Sequence, residues 1–310
     1  MRRNGISTTK LAEICGVSQG TVDRALNNRQ GIRLETKEKI LQTAKEYGYR
    51  PNMHARCIAG GKSMLIGVVV FDLNNHYFSD ILTRLEAHCN SKGYSMVVMF
   101  TGKDHKKEIE CIQKLYHMTA DGIVLCPIND GEEYENFLLS LDIPIVTFGN
   151  KLYRLPHVGI DNCRAMVETV EYIVKRGYQN LIYVKPELAE RNTFAQAERL
   201  SAFVETCEHT GSTYAITDLQ HAEEALDPKR TNAYVCPTDI YAIKLLLFAK
   251  KHQAGIVGFD NIRLIDEWDL RLDSVSYNIE ATAKALLDYI IDGNARSTLI
   301  PHKLICRGSI

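Results

Sequence analysis

The segment Cys15-Gly16-Val17-Ser18-Gln19-Gly20-Thr21-Val22-Asp23-Arg24-Ala25-Leu26-Asn27 constrains this chain more than any other. Gly16 stands where a short amphipathic helix needs a left-handed stop. Ser18 stands where the next helix needs a side-chain acceptor for an orphan N–H. Val17, Val22 and Leu26 recur at helical spacing and form a face that must be buried. Gln19, Gly20, Thr21 and Arg24 are left on the other side. They are polar or minimal side chains near a helix start, suited to base edges and phosphates in a major groove. This is the grammar of the turn and second helix of a helix-turn-helix. A first helix is predicted from a cap at Ser7, with Leu11, Ala12 and Ile14 turned inward. A third is predicted over 34–47, with Leu34, Ile40, Leu41 and Ala44 apolar and Gly48 as its stop. Three helices this short bury little alone, so the module gains from dimerisation or from docking on DNA.

Charge separates this module from the rest. Residues 1–63 carry 12 Lys and Arg against 5 Asp and Glu, and the remainder carries 25 against 33, so a net charge of −1 hides a basic headpiece on an acidic body. That division suits phosphate binding without making the whole protein adhesive. The bland alternative is a solvated basic surface. No apolar run reaches the ~18 residues of a membrane helix. Residues 1–5 lead into no apolar signal core, and the 9 cysteines include no C-x-x-C pair. Both features predict a cytoplasmic protein with reduced thiols.

From Met64 onward strands and helices alternate. Leu65-Ile66-Gly67-Val68-Val69-Val70-Phe71 is a continuous apolar run, the mark of a strand covered on both faces. Helices are expected over 77–92, 106–118 and 132–141, with strands over 94–100, 122–126 and 145–148. The alternation then repeats: helices over 163–176, 194–209 and 239–251, strands over 180–184, 212–216, 233–236 and 255–259. Two α/β lobes with parallel, doubly wound sheets follow, and their ligands belong beyond the carboxyl ends of the strands.

These residues resemble the LacI/GalR family of bacterial regulators. Residues 7–49 are similar to its DNA-binding headpiece. Arg50-Pro51-Asn52, Ala55-Arg56-Cys57-Ile58 and Gly61-Lys62-Ser63 are similar to its hinge helix and linker, and 64–310 to its periplasmic-binding-protein-like core. Leu73-Asn74-Asn75-His76-Tyr77-Phe78 resembles the ribose-binding-type signature after strand one, and Gly258-Phe259-Asp260-Asn261 the family's Gly-Tyr-Asp-Asn segment. The resemblance implies a homodimeric repressor or activator on a near-palindromic DNA operator, gated by a small carbohydrate-like effector between the lobes. It implies an N-lobe of about 64–160 plus 276–294 and a C-lobe of about 161–275 plus 298–310. No leucine-heptad tail argues for a coiled-coil tetramer.

The resemblance also assigns residues. Ser18, Gln19, Gly20, Thr21, Arg24 and Arg29 fall at DNA-facing positions. Gln19 can read an adenine edge or hold a phosphate, and Gly20 allows only close backbone approach. Ala55 and Ile58 lie in the hinge, where Ile58 either wedges into the central base step from the minor groove or packs the linker on the core. Asp23 stands where the family usually has Ser, and either orients Arg24 or pairs with a neighbouring cation. Arg33 replaces the usual Ser cap of helix 3. For the effector, Tyr77 and Phe78 either stack on a sugar ring or pack the core. Asn74 is a hydroxyl partner or a turn former. Arg191 and Arg199 resemble effector-contacting positions, and Asp260 can accept two ligand hydroxyls. Asn278, at the last crossover, completes the set. Asn150, in Gly149-Asn150, and Thr238 depart from the Asp-Arg pair and the Asn found in ribose-type proteins.

Other classes find little support. Gly60-Gly61-Lys62-Ser63 mimics the end of a P-loop, but Arg56 occupies its first Gly position and no strand precedes it. There is no G-x-G-x-x-G after the first strand, no H-E-x-x-H and no Cys/His set at metal spacing. The charged run 103–107 reads as a solvated face. Neither an enzyme nor a cofactor or metal is therefore expected. A solute-binding protein without a DNA role is the alternative, and the basic headpiece argues against it.

Overall fold

The computed structural model describes residues 6–26, 29–49, 62–74, 76–186, 193–293 and 296–310. The chain divides into two compact units, Met1–Ser63 and Met64–Ile310.

The first unit holds α1 (Thr8–Cys15), α2 (Gln19–Leu26) and α3 (Leu34–Glu46). Ser7 caps α1 by accepting the Lys10 N–H, and Gly16 ends it at φ 70°. Gly48, at φ 60°, turns the chain out of α3. Leu11, Ala12, Cys15, Val22, Ala25, Ile40 and Ala44 form the small core. The inward face of α1 differs from expectation. Ile14 is exposed and Cys15 is buried in its place. At about 100° per residue, positions 11, 12 and 15 share one face and position 14 falls outside it. In α3 only Ile40 and Ala44 are buried; Leu34 and Leu41 face solvent. Arg33 precedes α3 with no side-chain cap bond.

The second unit contains two six-stranded sheets. The first sheet uses β1 (Leu65–Val70), β2 (Ser95–Phe100), β3 (Gly122–Leu125), β4 (Ile145–Phe148) and β5 (His157–Gly159). The second uses β6 (Asn180–Val184), β7 (Thr213–Thr217), β8 (Asn232–Val235), β9 (Gly255–Asp260) and β10 (Asp273–Ser276). Each gains a strand from the chain's last segment, β11 (Thr298–Leu299) and β12 (Lys303–Ile305), giving orders β11-β5-β4-β3-β1-β2 and β12-β10-β9-β8-β6-β7. All pairings are parallel except β10 with β12.

Strand β1 shows why the sheets are covered on both faces. Val68 and Val70 enter one apolar cluster and Val69 the other, as a period of two requires. In the N-lobe, α4 (His76–Ser91) and α11 (Ile279–Asp292) lie together on one face, while α5 (His105–His117) and α6 (Glu132–Leu139) cover the other. In the C-lobe, α7 (Asn162–Lys175) pairs with α8 (Thr193–Thr210), and α9 (Asp239–Lys251) with the short α10 (Leu264–Glu267) covers the opposite face. The chain crosses between lobes after β5, after β10 and again after β11. The expected C-lobe segment 298–310 is therefore split. Thr298 and Leu299 pair with Val158 and Gly159 in the N-lobe sheet, and the Ile300 N–H donates to the Gly159 carbonyl at 2.7 Å. Only the last strand belongs to the C-lobe sheet. Among the described residues, no helix is long and apolar enough to cross a membrane.

Candidate functional site

Two surfaces carry functional chemistry. On the headpiece, Ser18 Oγ accepts the Thr21 N–H at 3.2 Å and lies 2.9 Å from Thr21 Oγ1, so both residues organise the start of α2. Gln19 donates its amide to Thr9 Oγ1 at 2.7 Å, which ties the side chain to α1. Gly20 is exposed, and only Ser18 Oγ, at 3.8 Å, approaches the place of a Cβ. The recognition face is thus bare backbone at this point, with exposed Arg24 one turn further on. Asp23 pairs with Arg29 at 3.1 Å, both side chains being exposed. Ala55 and Ile58 lie outside the described residues, as does Arg191.

In the core a cavity of about 240 Å³ opens between the lobes. The N-lobe contributes Phe71, Asp72 and Asn74 after β1, Tyr77 and Phe78 from α4, Lys103 after β2, Gly149 after β4, and His157 and Gly159 from β5. The C-lobe contributes Asn162 at the start of α7, Ala195, Gln196 and Arg199 from α8, Thr238 with the start of α9, and Asp260 at the end of β9. Ile160 and Tyr277, beside two crossovers, complete the wall.

Arg199 is the centre of this wall. It is 5% exposed, and its Nε and Nη1 donate at 3.0 Å to Asn162 Oδ1 and to the Pro237 carbonyl. Nη2 donates to the Tyr277 hydroxyl, and the guanidinium stands 4.4 Å from the Phe259 ring centroid. Burial opposes its charge, but the Tyr277 and Asp260 oxygens outweigh that and hold its pKa above the ordinary arginine value. Tyr77 stacks on Tyr277 with ring centroids 5.0 Å apart. Burial, reinforced by Tyr277 and Asp260, pushes the Tyr77 phenol upward, so it remains a donor. Burial likewise raises Tyr277, against the Arg199 charge.

Asp260 occupies a strained position, with φ 104°, followed by Asn261 at φ 50°. Such backbone costs about 1–3 kcal/mol and persists only where its surroundings fix it. Asp239 supplies the fixing. Its carboxylate is fully buried and accepts the Ile262 N–H at 2.8 Å and the Ser274 hydroxyl at 2.6 Å. Gly258 is required there, because a Cβ would collide with Asp239 Oδ1. Burial first, and then the nearby Asp260, raise the Asp239 pKa well above the carboxylate range. On the opposite wall, burial and Lys151 lower His157 to about 4, and its Nδ1 lies 3.1 Å from Thr147 Oγ1. The imidazole is neutral at pH 7.

The cavity therefore gathers Asn74, Tyr77, Phe78, Arg199, Thr238 and Asp260. Phe78 serves the core as well, edge-on to Phe71 at 4.7 Å. Two expected residues lie elsewhere. Asn278 is not in the wall; at φ 50° its Oδ1 caps α11 by accepting the Ala281 N–H, and its neighbour Tyr277 faces the cavity. Asn150 donates to the Pro127 carbonyl at 2.8 Å, while Gly149 lines the wall. Sequence reading missed Lys103, His157, Asn162, Gln196, Tyr241, Lys244 and Tyr277. Asn162 was within reach, as the first residue after a helix cap beyond a strand end. Lys103 was not, because its run reads as solvated; it lies 3.7 Å from Asp72. Among the described residues, no group of three His, Cys, Asp or Glu side chains gathers to hold a metal.

Known proteins share this fold. Residues 10–52 match the family described as "Bacterial regulatory proteins, lacI family". Residues 63–227 match "Periplasmic binding proteins and sugar binding domain of LacI family". Catabolite control protein A of Staphylococcus epidermidis is 26% identical over 321 residues, covering 96% of this chain and 97% of that protein. Its counterpart from Priestia megaterium is 26% identical over 326 residues, with the same coverage. Among solved structures, the lac repressor dimer bound to operator and the anti-inducer ONPF superposes with a TM-score of 0.80 at 19% identity, covering 97% of this chain and 98% of that one. The complex of the regulator CelR with cellobiose gives 0.64 at 19% identity, covering 98% and 100%. The helix-turn-helix headpiece, the two-lobed core and both family matches place this chain in the LacI family of bacterial regulatory proteins.

Proposed function

We propose that the protein is a cytoplasmic homodimeric repressor that binds a near-palindromic DNA operator through its headpiece and hinge, and releases or grips it in response to a small sugar held between the core lobes. One observation carries the reading. A basic module with an exposed polar recognition face shares its chain with a cavity walled by aromatic rings and by the buried Arg199 and Asp260. A carboxylate and a guanidinium in one wall suit sugar hydroxyls, and the Tyr77 and Tyr277 rings suit the apolar face of a sugar. The volume, below the ~300–1,000 Å³ common for drug-sized ligands, suits one sugar ring. The solved lac repressor–operator and CelR–cellobiose complexes support the two halves of the assignment. The family models that match are those of regulatory proteins, which supports a regulatory role.

In the hinge, Ile58 is the proposed minor-groove wedge. Ser18, Gln19, Gly20, Thr21, Arg24 and Arg29 are the proposed base and phosphate contacts of the headpiece, and Ala55 a proposed DNA contact beside Ile58. An electrophoretic shift on DNA from the gene's own upstream region tests the reading. Binding should weaken steeply as salt rises, because several phosphates are neutralised. Half-sites should lie about one helical turn, ~34 Å, apart. Asp260→Asn should remove the response to sugar. A wild-type protein with no affinity for any upstream fragment at low salt would overturn the reading.

A further inference from the structure

The charges in the cavity wall do not cancel. Among the described lining residues there are three cations, Lys103, Arg199 and Lys244, and two carboxylates, Asp72 and Asp260. Each carboxylate already has a cation near it. Lys103 stands 3.7 Å from Asp72, and Asp260 acts on Arg199 in the buried cluster. Lys244 has no carboxylate partner among the described residues; its ammonium lies 5.3 Å from the Tyr241 ring centroid. It belongs to α9 and is exposed on the cavity wall.

The backbone adds to this excess. The cavity is lined by first-turn residues of α4, α7, α8 and α9, namely Tyr77, Asn162, Ala195 and Tyr241 among others. Each helix start carries about half a positive charge. At α4 and α8 the first turn has no acidic side chain, whereas at α7 the Asp161 carboxylate caps the start by accepting the Arg164 N–H. The fourth has Asp239, but that carboxylate is spent on Ile262 and Ser274, away from the helix's own N–H groups. Thr238, at the N-cap of α9, makes no side-chain bond to the helix, so its hydroxyl is not committed to capping. Lys244, with no carboxylate partner among the described residues, distinguishes this wall from one made for a neutral sugar.

We propose that the effector is an acidic sugar, whose carboxylate or phosphate is met by Lys244 and the start of α9 while its hydroxyls meet Asp260 and Arg199. The inference rests on the carbohydrate reading above and narrows it. Aldonates, uronates and sugar phosphates share the chemistry, and separate arms of the test distinguish them.

The test is calorimetric titration of the full chain with matched sets. The neutral set is D-ribose, D-glucose and D-galactose. The acidic set is D-gluconate, D-galactonate, D-glucuronate, D-galacturonate, D-ribose 5-phosphate and D-glucose 6-phosphate. At least one acid should bind more tightly than its neutral parent, and more weakly as NaCl rises. Lys244→Gln should weaken that acid about three- to tenfold and its parent little, and Lys244→Arg should restore most of the preference. Neutral sugars binding as tightly as their acids would overturn the proposal and leave the carbohydrate reading standing. So would an equal effect of Lys244→Gln on both sets. Absence of binding by every member of both sets would remove the carbohydrate reading and the proposal with it.

Discussion

Replacing Arg199 with Met tests whether the cavity wall is held by one buried cation. Met fills most of the volume of the lost side chain and keeps its flexibility. The change therefore reads out the polar groups. The Pro237 carbonyl, Asn162 Oδ1 and the Tyr277 hydroxyl each lose their bond to Arg199. Asp260, 4% exposed, loses the nearby positive charge. Removing one partner of a buried charged cluster costs about 3–5 kcal/mol, because the other is left uncompensated. For a unit the size of Met64–Ile310, each kcal/mol moves the melting midpoint by about 2–4 °C, so a fall of roughly 6–20 °C is expected in scanning calorimetry. Urea denaturation followed by circular dichroism should give the same loss in free energy. Arg199→Lys keeps the charge but cannot reproduce three fixed donors at once, and should fall between wild type and Met. A loss below about 1 kcal/mol for Arg199→Met would refute the reasoning, since the cluster would then be ornament on an independently stable lobe.

Three further outcomes follow from the same geometry. Gly258→Ala should destabilise the core by about 1–3 kcal/mol through collision with the Asp239 carboxylate; in the Asp239→Ala background the same change should cost at least about 1 kcal/mol less, and strict additivity in urea melts would rule out the contact. His157 should make stability pH-dependent. Its folded pKa of about 4 lies below the ordinary value, so the unfolded chain takes the proton first; stability is intact above about 6.5 and declines as pH falls toward 4, by about 3 kcal/mol at most. His157→Gln should flatten that slope in melts between pH 4 and 7, and an unchanged slope would sink the assignment. Asp23→Asn should release Arg29 and remove a carboxylate from the DNA-facing module, tightening non-specific DNA binding several-fold at low salt, with the gain lost at high salt; unchanged or weaker binding in fluorescence anisotropy would count against the pair's role.

Local chemistry explains which parts of the molecule the sequence revealed. Ser7, Gly16 and Gly48 act within one turn of their own positions, so the headpiece ends were readable residue by residue. Ile14 was misplaced because helical periodicity leaves the edge of a face ambiguous, and tertiary packing chose Cys15. Strands β5 and β11 span three and two residues and carry no period that could announce them. They exist because Val158 and Gly159 lie against neighbours distant in sequence. The cavity shows the same division. Asp260 was visible because strand ends are the default ligand positions of doubly wound sheets, whereas Arg199 was reached only through the family resemblance. Asn150 and Asn278 were each one residue out. At a turn or crossover a single left-handed residue decides which side chain faces the cavity, as Gly149 at φ 71° and Asn278 at φ 50° do. Lys103, His157 and Lys244 come from separate elements and share a site only after folding.

Tyr277 shows how such a cavity can couple a ligand to the angle between the core lobes. It sits at a crossover between lobes, stacks on Tyr77 of the N-lobe helix α4 and accepts a bond from Arg199 of the C-lobe helix α8. The protein thus carries a bridge of its own between the lobes, at the place where the sugar is proposed to bind. A ligand that touches Tyr77 on one side and Arg199 or Asp260 on the other must join or displace that bridge. Its effect on the lobe angle equals the difference in its affinity for the two arrangements, and no more. A tenfold difference shifts the equilibrium by about 1.4 kcal/mol, within the 1–3 kcal/mol typical of allosteric coupling. Because the coupling is reciprocal, operator DNA must change the sugar affinity by the same factor that the sugar changes DNA affinity. Weakening the bridge without touching the headpiece should therefore alter both affinities together, which a merely structural tyrosine would not do.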